Sequence, residues 1–371
     1  MLILAAAGTY KFPYPLTATW IQFIFSHMLL LIAATLSRAL AYPLRYLGLG
    51  AAVAPSQPVH QKNAGYRGGT TQSPGLKRLL RLCWNPSGGI AGGGIFEFDM
   101  KIARQVFLLA VVFVAKVVLG NLSFAYTVLP VYTLSRIATV PLTLALTALL
   151  TRTSHSVSTL SASLTATLNL LIASVRPGAR APWESVLAGA VSSLFVALFP
   201  ILLLQTLRKL TASLVPQGDI LTFPETSNDT NTSAAQNALG TKEETRAYWR
   251  LLHYTSLLSI LLLTPLVFLS GEVSDIRHNC YFLDVPWFWF LCACGGLGSF
   301  AVFLSTPLLV KATSPLTENM LSLPIGGLQL AILAGKMQGY SAVGVAGCGI
   351  SCLWYMAVRR WEARKERQGR R

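Results

Sequence analysis

The chain has 371 residues, of which 53% are hydrophobic and only 12% are charged. Soluble domains carry charge on about a quarter of their residues, so this composition excludes an ordinary water-soluble fold and indicates that lipid is the solvent. The formal net charge of +16 would suggest nucleic acid as the partner of a soluble protein, but here the basic residues lie between long apolar stretches, and no nucleic-acid partner is expected.

Nine apolar segments are long enough to cross a bilayer core of about 30 Å as helices. In chain order they are 16–37, 103–124, 127–150, 157–175, 185–207, 249–270, 286–308, 313–334 and 339–358. The apolar stub at 1–9 resembles the end of a further helix whose beginning is missing from this sequence. Two polar connections, 43–101 and 208–248, are rich in Gly, Pro, Ser and Asn and are predicted to be flexible loops. The sequence therefore predicts an all-α polytopic membrane protein with ten helices, the first of them truncated.

The long central connection predicts two halves of five helices each. A weak internal repeat agrees with this division, because FAYTVLPVYT and LVKATSPLTE each join one helix to the next with Pro130 and Pro315 in register. Many carriers use two inverted repeats to place a substrate site near the membrane midplane. The predicted parts are an N-terminal half (1–207), a cytoplasmic linker (208–248), a C-terminal half (249–358) and a basic tail (359–371).

The distribution of basic residues predicts the orientation in the membrane. If the helices alternate in direction, one face holds 21 Lys and Arg residues in its connections and the other face holds five. Cytoplasmic loops carry the excess of positive charge in most membrane proteins. The tail 359–371 and the loops 43–101 and 208–248 are therefore predicted to be cytoplasmic.

Charged residues inside the predicted spans are the first candidates for function, since each costs about 2.5–3.5 kcal/mol to insert at a helix centre. Lys116 lies in VVFVAKVVLGN, five residues before Asn121, and is expected to face the protein interior, where substrate contact and pairing with a distant polar group are both open. Arg136 lies in the third complete span beside Tyr132. A guanidinium binds phosphate oxygens through two parallel hydrogen bonds, although snorkelling to the interface would also explain its position.

Polar residues also cluster where the 313–334 segment begins. Lys311 is expected to anchor the preceding helix at the interface, and Ser-Pro at 314–315 is expected to start the next helix. The exposed N–H groups of a helix N-terminus attract anions, although the same residues also serve as ordinary caps. Glu318 is expected to cap that helix or to pair with a cation. The substrate-binding candidates in this region are Lys311, Thr313, Ser314, Thr317 and Asn319.

Enzymatic and metal chemistry find no support in the sequence. The histidines and carboxylates are scattered, so neither a metal site nor a nucleophile with its base is indicated, and no catalytic residue, metal ligand or cofactor is predicted. A Walker-type phosphate loop is also missing from the sequence, which argues against ATP-driven pumping.

Several motifs resemble a known family. FPYPLTATWIQF, VVFVAKVVLGNLSFAYT, VYTLSR and KATSPLTENM are similar to the nucleotide-sugar and triose-phosphate translocators of the drug/metabolite transporter superfamily, and their arrangement looks nearest to GDP-fucose and GDP-mannose carriers. The resemblance covers residues 10–358. It implies a ten-helix fold of two inverted halves in the Golgi or endoplasmic reticulum membrane. It further implies exchange of a cytosolic nucleotide sugar for the nucleoside monophosphate returning from the lumen.

The resemblance also suggests roles for residues. In the family a basic residue of the fourth helix contacts phosphate, and Arg136 occupies that place, while Tyr132 and Asn121 fall where the family lines its cavity. Two departures stand out. The second basic residue that the family has in its ninth helix is replaced by Ile325 and Gly326, and Glu318 stands where the family has His or a similar residue.

Three functions therefore remain open. A nucleotide-sugar antiporter is the leading hypothesis. An exchanger of sugar phosphate against phosphate is a related alternative, which Arg136 as the one clear phosphate-facing cation mildly disfavours. The loss of the ninth-helix cation also fits a membrane scaffold that keeps the fold without transporting. The expected partners are the sugar compound, the monophosphate and the lipid bilayer, and the sequence leaves a homodimer open.

Overall fold

The computed structural model describes residues 14–46, 53–54, 98–152, 155–175, 182–214, 230–279, 286–333 and 339–369. In this part of the chain all regular secondary structure is helical. The helices are α1 (Pro15–Ala39), α2 (Ala41–Tyr46), α3 (Met100–Tyr126), α4 (Leu129–Ser135), α5 (Thr139–Thr151), α6 (Val157–Ser174), α7 (Trp183–Leu214), α8 (Thr230–Leu269), α9 (Glu272–Asn279), α10 (Pro286–Ala312), α11 (Pro315–Leu333) and α12 (Gly339–Gly369).

Eight stretches of these helices are long and apolar enough to cross a membrane. They are α1, α3, α4 together with α5, α6, α7, the Glu244–Leu269 part of α8, α10 and the Gly339–Glu362 part of α12. Helix α11 is also 19 residues long, but its sequence includes the polar residues Glu318, Asn319 and Gln329. The prediction of an all-α polytopic membrane protein is confirmed. The stub at 1–9 and most of the 43–101 connection lie outside the described residues.

The bounds of the central connection differ from the prediction. Helix α7 continues to Leu214 and α8 already begins at Thr230, so much of the segment predicted as a flexible linker at 208–248 is helical. The stretch AAQNALGTKEETRAYW explains the early start of α8, because Ala, Gln, Lys, Glu and Arg all favour helix. Residues 215–229 lie outside the described residues. The division into two five-helix halves stays a prediction.

The described helices group into two compact units, each made of separated stretches of chain. The first unit comprises 1–23, 111–204 and 259–371, and the second comprises 24–110 and 205–258. All residues predicted to contact substrate belong to the first unit.

Small residues bring α6 and α12 together in the first unit. On α6, Ala162, Ala166 and Ala173 recur on one face and are at most 1% exposed. On α12, Gly344 lies so close to α6 that an added Cβ would stand 2.5 Å from the backbone nitrogen of Ala173. Small residues such as glycine and alanine allow the backbones of two membrane helices to approach this closely.

Helix α11 is the centre of the packing in the first unit. It contacts α4, α5, α6, α10 and α12. Its apolar side chains Leu316, Met320 and Leu323 are buried in a core shared with Val140 of α5 and Tyr355 of α12. This packing fixes the first turn of α11, which carries Glu318, within the helix bundle.

The two connections that suggested an internal repeat have the same form. Helix α3 ends at Tyr126, and α4 begins after a connection of two residues with Pro130 in its first turn. Helix α10 ends at Ala312, and α11 begins after a connection of two residues with Pro315 as its first residue. Proline suits the first turn because the N–H it lacks would have no partner inside the helix there.

The second unit brings together two histidines that are far apart in the sequence, the buried His253 and the partly buried His27. The rings of His27 and His253 lie 5.5 Å apart between centroids, and Nδ1 of His27 lies 2.8 Å from the hydroxyl of Ser256. The two histidines are 226 positions apart in the sequence, so no local pattern predicted that their rings would meet.

Candidate anion-binding site

Arg136 lies at a break in a membrane-spanning segment. The predicted continuous span 127–150 consists instead of α4 and α5, and residues 136–138 form a turn between them with i to i+3 backbone hydrogen bonds. Pro141 explains the break, because it has no N–H to donate to the carbonyl of Ile137 and its ring crowds that carbonyl. The hydroxyl of Thr139 donates to the carbonyl of Arg136 at 2.7 Å. Irregular backbone at membrane depth is tolerated where protein groups satisfy it in this way.

The guanidinium of Arg136 is held by Tyr132, one turn earlier. Nη1 of Arg136 donates to the Tyr132 hydroxyl, and the guanidinium carbon lies 5.3 Å from the centroid of the Tyr132 ring. Tyr132 is 5% exposed and packs edge-on against Phe124. Nε of Arg136 is buried and has no hydrogen-bond partner among the described residues. The guanidinium is thus oriented by protein while keeping a donor for an additional acceptor.

Two glycines lie close to Arg136 and to its chain neighbour Ser135. A Cβ on Gly120 of α3 would stand 3.9 Å from Nη1 of Arg136 and 3.5 Å from the hydroxyl of Ser192. A Cβ on Gly189 of α7 would collide with the side chain of Ser135. Gly120 and Ser192 are not among the residues predicted from the sequence, although Gly120 follows Lys116 by one helical turn and so shares its face.

Lys116 is surrounded by aromatic rings. Its Nζ lies 3.7 Å from the ring centroid of Phe199 on α7 and 5.4 Å from that of Phe113 on α3. The Phe113 and Phe199 centroids are 5.3 Å apart, so both rings border the ammonium group. A cation over an aromatic face gains roughly 0.5–2 kcal/mol, the upper end applying where water is excluded. Lys116 therefore lies in the interior of the first unit, as its sequence context indicated.

Glu318 lies in the first turn of α11. Its Oε2 is buried and accepts no hydrogen bond from the described residues. Lys116 and Arg136 lie near each other, because a Cβ on Gly120, one helical turn after Lys116, would stand 3.9 Å from Nη1 of Arg136. We call Lys116, Tyr132 and Arg136 the charged cluster.

The other residues predicted to contact substrate are held by protein partners. Nδ2 of Asn121 donates to the hydroxyl of Thr19 on α1 at 2.6 Å. The Ser314 hydroxyl accepts from the backbone N–H of Thr317 at 3.3 Å, so the predicted helix start at Ser-Pro is confirmed together with its capping role. The hydroxyl of Thr317 also lies 3.1 Å from that of Tyr355.

The remaining three candidates differ in exposure. Lys311 and Thr313 are exposed at the junction of α10 and α11. Asn319 is only 1% exposed, and its Nδ2 donates to the hydroxyl of Thr143 at 2.7 Å and to the carbonyl of Val196 at 3.4 Å. The structure therefore gathers Lys116, Tyr132 and Arg136 but leaves these three outside the charged cluster.

We expect replacement of Asn319 by alanine to act on stability. It removes a buried amide that joins α11 to α5 and α7, and the loss of such a group costs about 1–3 kcal/mol. A lower thermal midpoint with unchanged ligand affinity is expected, with Thr313→Ala as the exposed control. Lost affinity at an unchanged midpoint would instead support direct contact of Asn319 with substrate.

Comparison with known proteins places the chain among transporters. No family model matches it. It is 26% identical over 280 residues to GDP-fucose transporter 1 of Dictyostelium discoideum, covering 73% of this chain and 65% of the relative. It is 27% identical over 234 residues to the GDP-fucose transporter of Caenorhabditis elegans, covering 61% and 55%. A 72-residue stretch is 39% identical to the Drosophila melanogaster protein named GDP-fucose transporter, Golgi, covering 19% and 21%.

The chain thus spans 65% of the length of the first relative and 55% of the second. All three relatives are named as transporters and none as an enzyme. Together with the eight apolar helices, these matches confirm the resemblance that the motifs indicated: this multi-pass membrane protein is similar to nucleotide-sugar transporters of the GDP-fucose type.

Proposed function

We propose that this chain carries a nucleotide sugar, with GDP-fucose as the first candidate, across an internal membrane in exchange for a nucleoside monophosphate. The observation that carries the proposal is the charged cluster beside a broken membrane helix. Its two cations are partly buried, come from different elements and would be costly in the membrane unless they served an anion. The printed names of the relatives supply the candidate substrate.

Arg136 is the proposed phosphate ligand. Its charge is permanent, and its planar donors match the oxygens of a phosphate or pyrophosphate. Tyr132 orients the guanidinium, and the Nε donor remains for a substrate oxygen. Lys116 adds positive potential from α3, and the aromatic rings that border it exclude water from the ammonium. Asn121 and Ser314 are proposed to orient the sugar or the base.

Alternating access around this site is the proposed mechanism, with the two predicted halves rocking about the midplane. We further propose the Golgi membrane as the location, because one relative carries that word in its name. The excess of Lys and Arg in alternate connections supports a cytoplasmic C-terminus.

A second candidate is exchange of a small sugar phosphate against inorganic phosphate. The specific observation in its favour is that Arg136 lies beside Gly120, one helical turn after Lys116, whereas the sequence indicated a single clear phosphate-facing cation. Two cations meet the charge requirement of a compact dianion. The names of the relatives favour the nucleotide sugar.

Thermal unfolding of the purified full-length chain should separate these candidates. A ligand that binds only the folded state stabilises it by about 2.7 kcal/mol at 100 times its dissociation constant. We expect GDP-fucose and GMP to raise the unfolding temperature, and expect triose phosphate and inorganic phosphate to have little effect. Stabilisation by the phosphates alone would support the second candidate. A lack of response to all of these compounds would favour a non-transporting scaffold.

Uptake into proteoliposomes then tests transport itself. Vesicles preloaded with GMP are expected to take up labelled GDP-fucose faster than vesicles preloaded with AMP or inorganic phosphate. Equal uptake by protein-free vesicles would contradict transport by this chain.

A further inference from the structure

Helix α12 continues past its apolar stretch as a basic helix. The part that is long and apolar enough to cross a membrane is Gly339–Glu362, whereas the helix itself ends at Gly369. From Arg359 to Gly369 the sequence RRWEARKERQG holds five basic and two acidic residues. Successive side chains on a helix are about 100° apart, so the helix distributes these charges over different sides.

One side of this end of α12 carries cations and a tryptophan. Arg360, Trp361, Arg364 and Lys365 are all exposed, and their positions fall within about 140° of the helix circumference. Nζ of Lys365 lies 3.7 Å from the ring centroid of Trp361, one turn earlier. We call these four residues the basic face.

The basic face continues the lipid-facing side of the spanning part. Ile350, Leu353 and Trp354 are exposed on α12, as expected of large apolar side chains that contact lipid. Trp354 precedes Trp361 by seven positions, or about two turns, so both lie on one side of the helix. Tryptophan is enriched where a span meets water, at the level of the lipid headgroups. The cations that flank Trp361 therefore lie at headgroup level.

The carboxylate of Glu362 points to the opposite side of α12. It accepts hydrogen bonds from the hydroxyls of Ser156 and Thr159 at the start of α6, the second of them at 3.3 Å. Arg359 lies 3.4 Å from the same carboxylate. The second acidic position, 366, follows Glu362 by one turn and falls on that side as well. Packing against α6 thus leaves positive charge alone on the exposed side of α12 between 359 and 369.

We propose that the basic face binds the headgroups of anionic phospholipids in the leaflet that lies at the C-terminal end of α12. At a rise of about 1.5 Å per residue, its three cations occupy about 7.5 Å along the helix axis. The headgroup layer outside a core of about 30 Å is about 5–7 Å thick on each side, so the cations match its depth. Lys and Arg hold phosphate and carboxylate oxygens through charge-assisted hydrogen bonds. The inference does not depend on the proposed function.

Native mass spectrometry of the purified full-length chain in nonionic detergent tests the proposal. The probes are phosphatidylserine and phosphatidylcholine with identical acyl chains. Each cation near an anionic lipid strengthens binding about fivefold, so we expect phosphatidylserine to bind at least about tenfold more tightly. Combining Arg360→Gln, Arg364→Gln and Lys365→Gln should reduce this preference to less than about threefold and leave the affinity for phosphatidylcholine unchanged.

A matched pair of single variants separates the basic face from net charge. Arg364→Gln and Arg359→Gln each remove one positive charge from the same helix, but from different sides of it. We expect phosphatidylserine to bind about fivefold more weakly to Arg364→Gln and to stay within about twofold for Arg359→Gln. Equal losses in the two variants would show that net charge alone attracts the lipid, which would overturn the proposal.

Two further results would also contradict lipid binding at this surface. One is an unchanged preference for phosphatidylserine in the triple variant. The other is tighter binding of a polyglutamate peptide than of phosphatidylserine, since that result would indicate an acidic protein as the partner. Should the triple variant not fold, the comparison of Arg364→Gln with Arg359→Gln still decides the question.

Discussion

Replacing Arg136 with alanine is expected to abolish nucleotide-sugar exchange while leaving a folded, membrane-inserted protein. The guanidinium is the group that Tyr132 orients and whose Nε has no partner among the described residues. Truncating one partner of a hydrogen-bonded charge pair costs about 2–5 kcal/mol, so affinity for GMP should fall by roughly 30-fold or more. Thermal stabilisation by GMP measures the affinity, and proteoliposome uptake measures the exchange.

Two variants make this result specific. Arg136→Lys retains the positive charge but loses the two parallel donors, so it should keep a small fraction of the binding. Arg208→Ala removes an exposed arginine from α7 and should behave as the unmodified protein. Normal exchange by Arg136→Ala would remove Arg136 from the site. Loss of folded protein in that variant alone would indicate a structural role.

The second large effect is expected at the contact between α6 and α12. An added Cβ at Gly344 would lie 2.5 Å from the backbone nitrogen of Ala173 and 2.8 Å from the backbone oxygen of Asn169. Helix backbones cannot yield as a flexible side chain can, so the two helices must separate. Overpacking of this kind costs about 1–3 kcal/mol, and Gly344→Ala should lower the thermal midpoint accordingly.

Gly349 provides a matched control on the same helix. A Cβ there meets no atom within 4 Å. Because alanine favours helix over glycine by roughly 0.8–1.0 kcal/mol, Gly349→Ala should leave the midpoint unchanged or raise it. Opposite shifts for the two variants would identify close packing as the cause. A similar shift in both would contradict the described contact between α6 and α12.

If Gly344→Ala forces α6 and α12 apart, hydrogen bonds between the two helices should also be lost. Ser341 donates to the carbonyl of Ala173 at 2.7 Å, and Asn169 donates to the hydroxyl of Ser351 at 2.9 Å. These two bonds lie on either side of Gly344 along α12. A single added methyl group is therefore expected to weaken several contacts together.

Apolar run length predicted most of the spans well. The predicted spans 16–37, 103–124 and 157–175 agree within about three residues with Pro15–Ala39, Met100–Tyr126 and Val157–Ser174. The errors arose where helices continue beyond the apolar run, as α8 does at its start and α12 does at its end. The length of an apolar run indicates how much of a helix lies inside the bilayer. The helix itself can continue into water as long as each added residue forms a backbone hydrogen bond and its side chain favours the helical conformation.

The break at Arg136 shows a different limit of the sequence pattern. The span 127–150 is continuously apolar enough to suggest one helix, and the effect of Pro141 on the carbonyl of Ile137 was overlooked. That signal was present in the sequence, since proline disturbs the residue four positions earlier. By contrast, no local pattern indicated that Gly120 lies near both Arg136 and Ser192, because the three residues belong to different parts of the chain.

The amino-acid sequence by itself determined that this protein lies in a membrane as a set of helices, and it singled out Lys116, Arg136 and Glu318 as unusual. These properties depend on local quantities, the run of apolar side chains and the cost of burying charge. Only the tertiary structure decided that Arg136 lies beside Gly120, one helical turn after Lys116, and that Asn319 donates hydrogen bonds to Thr143 and Val196. Those relations join helices far apart in the chain, and their distances are set by how the helices pack.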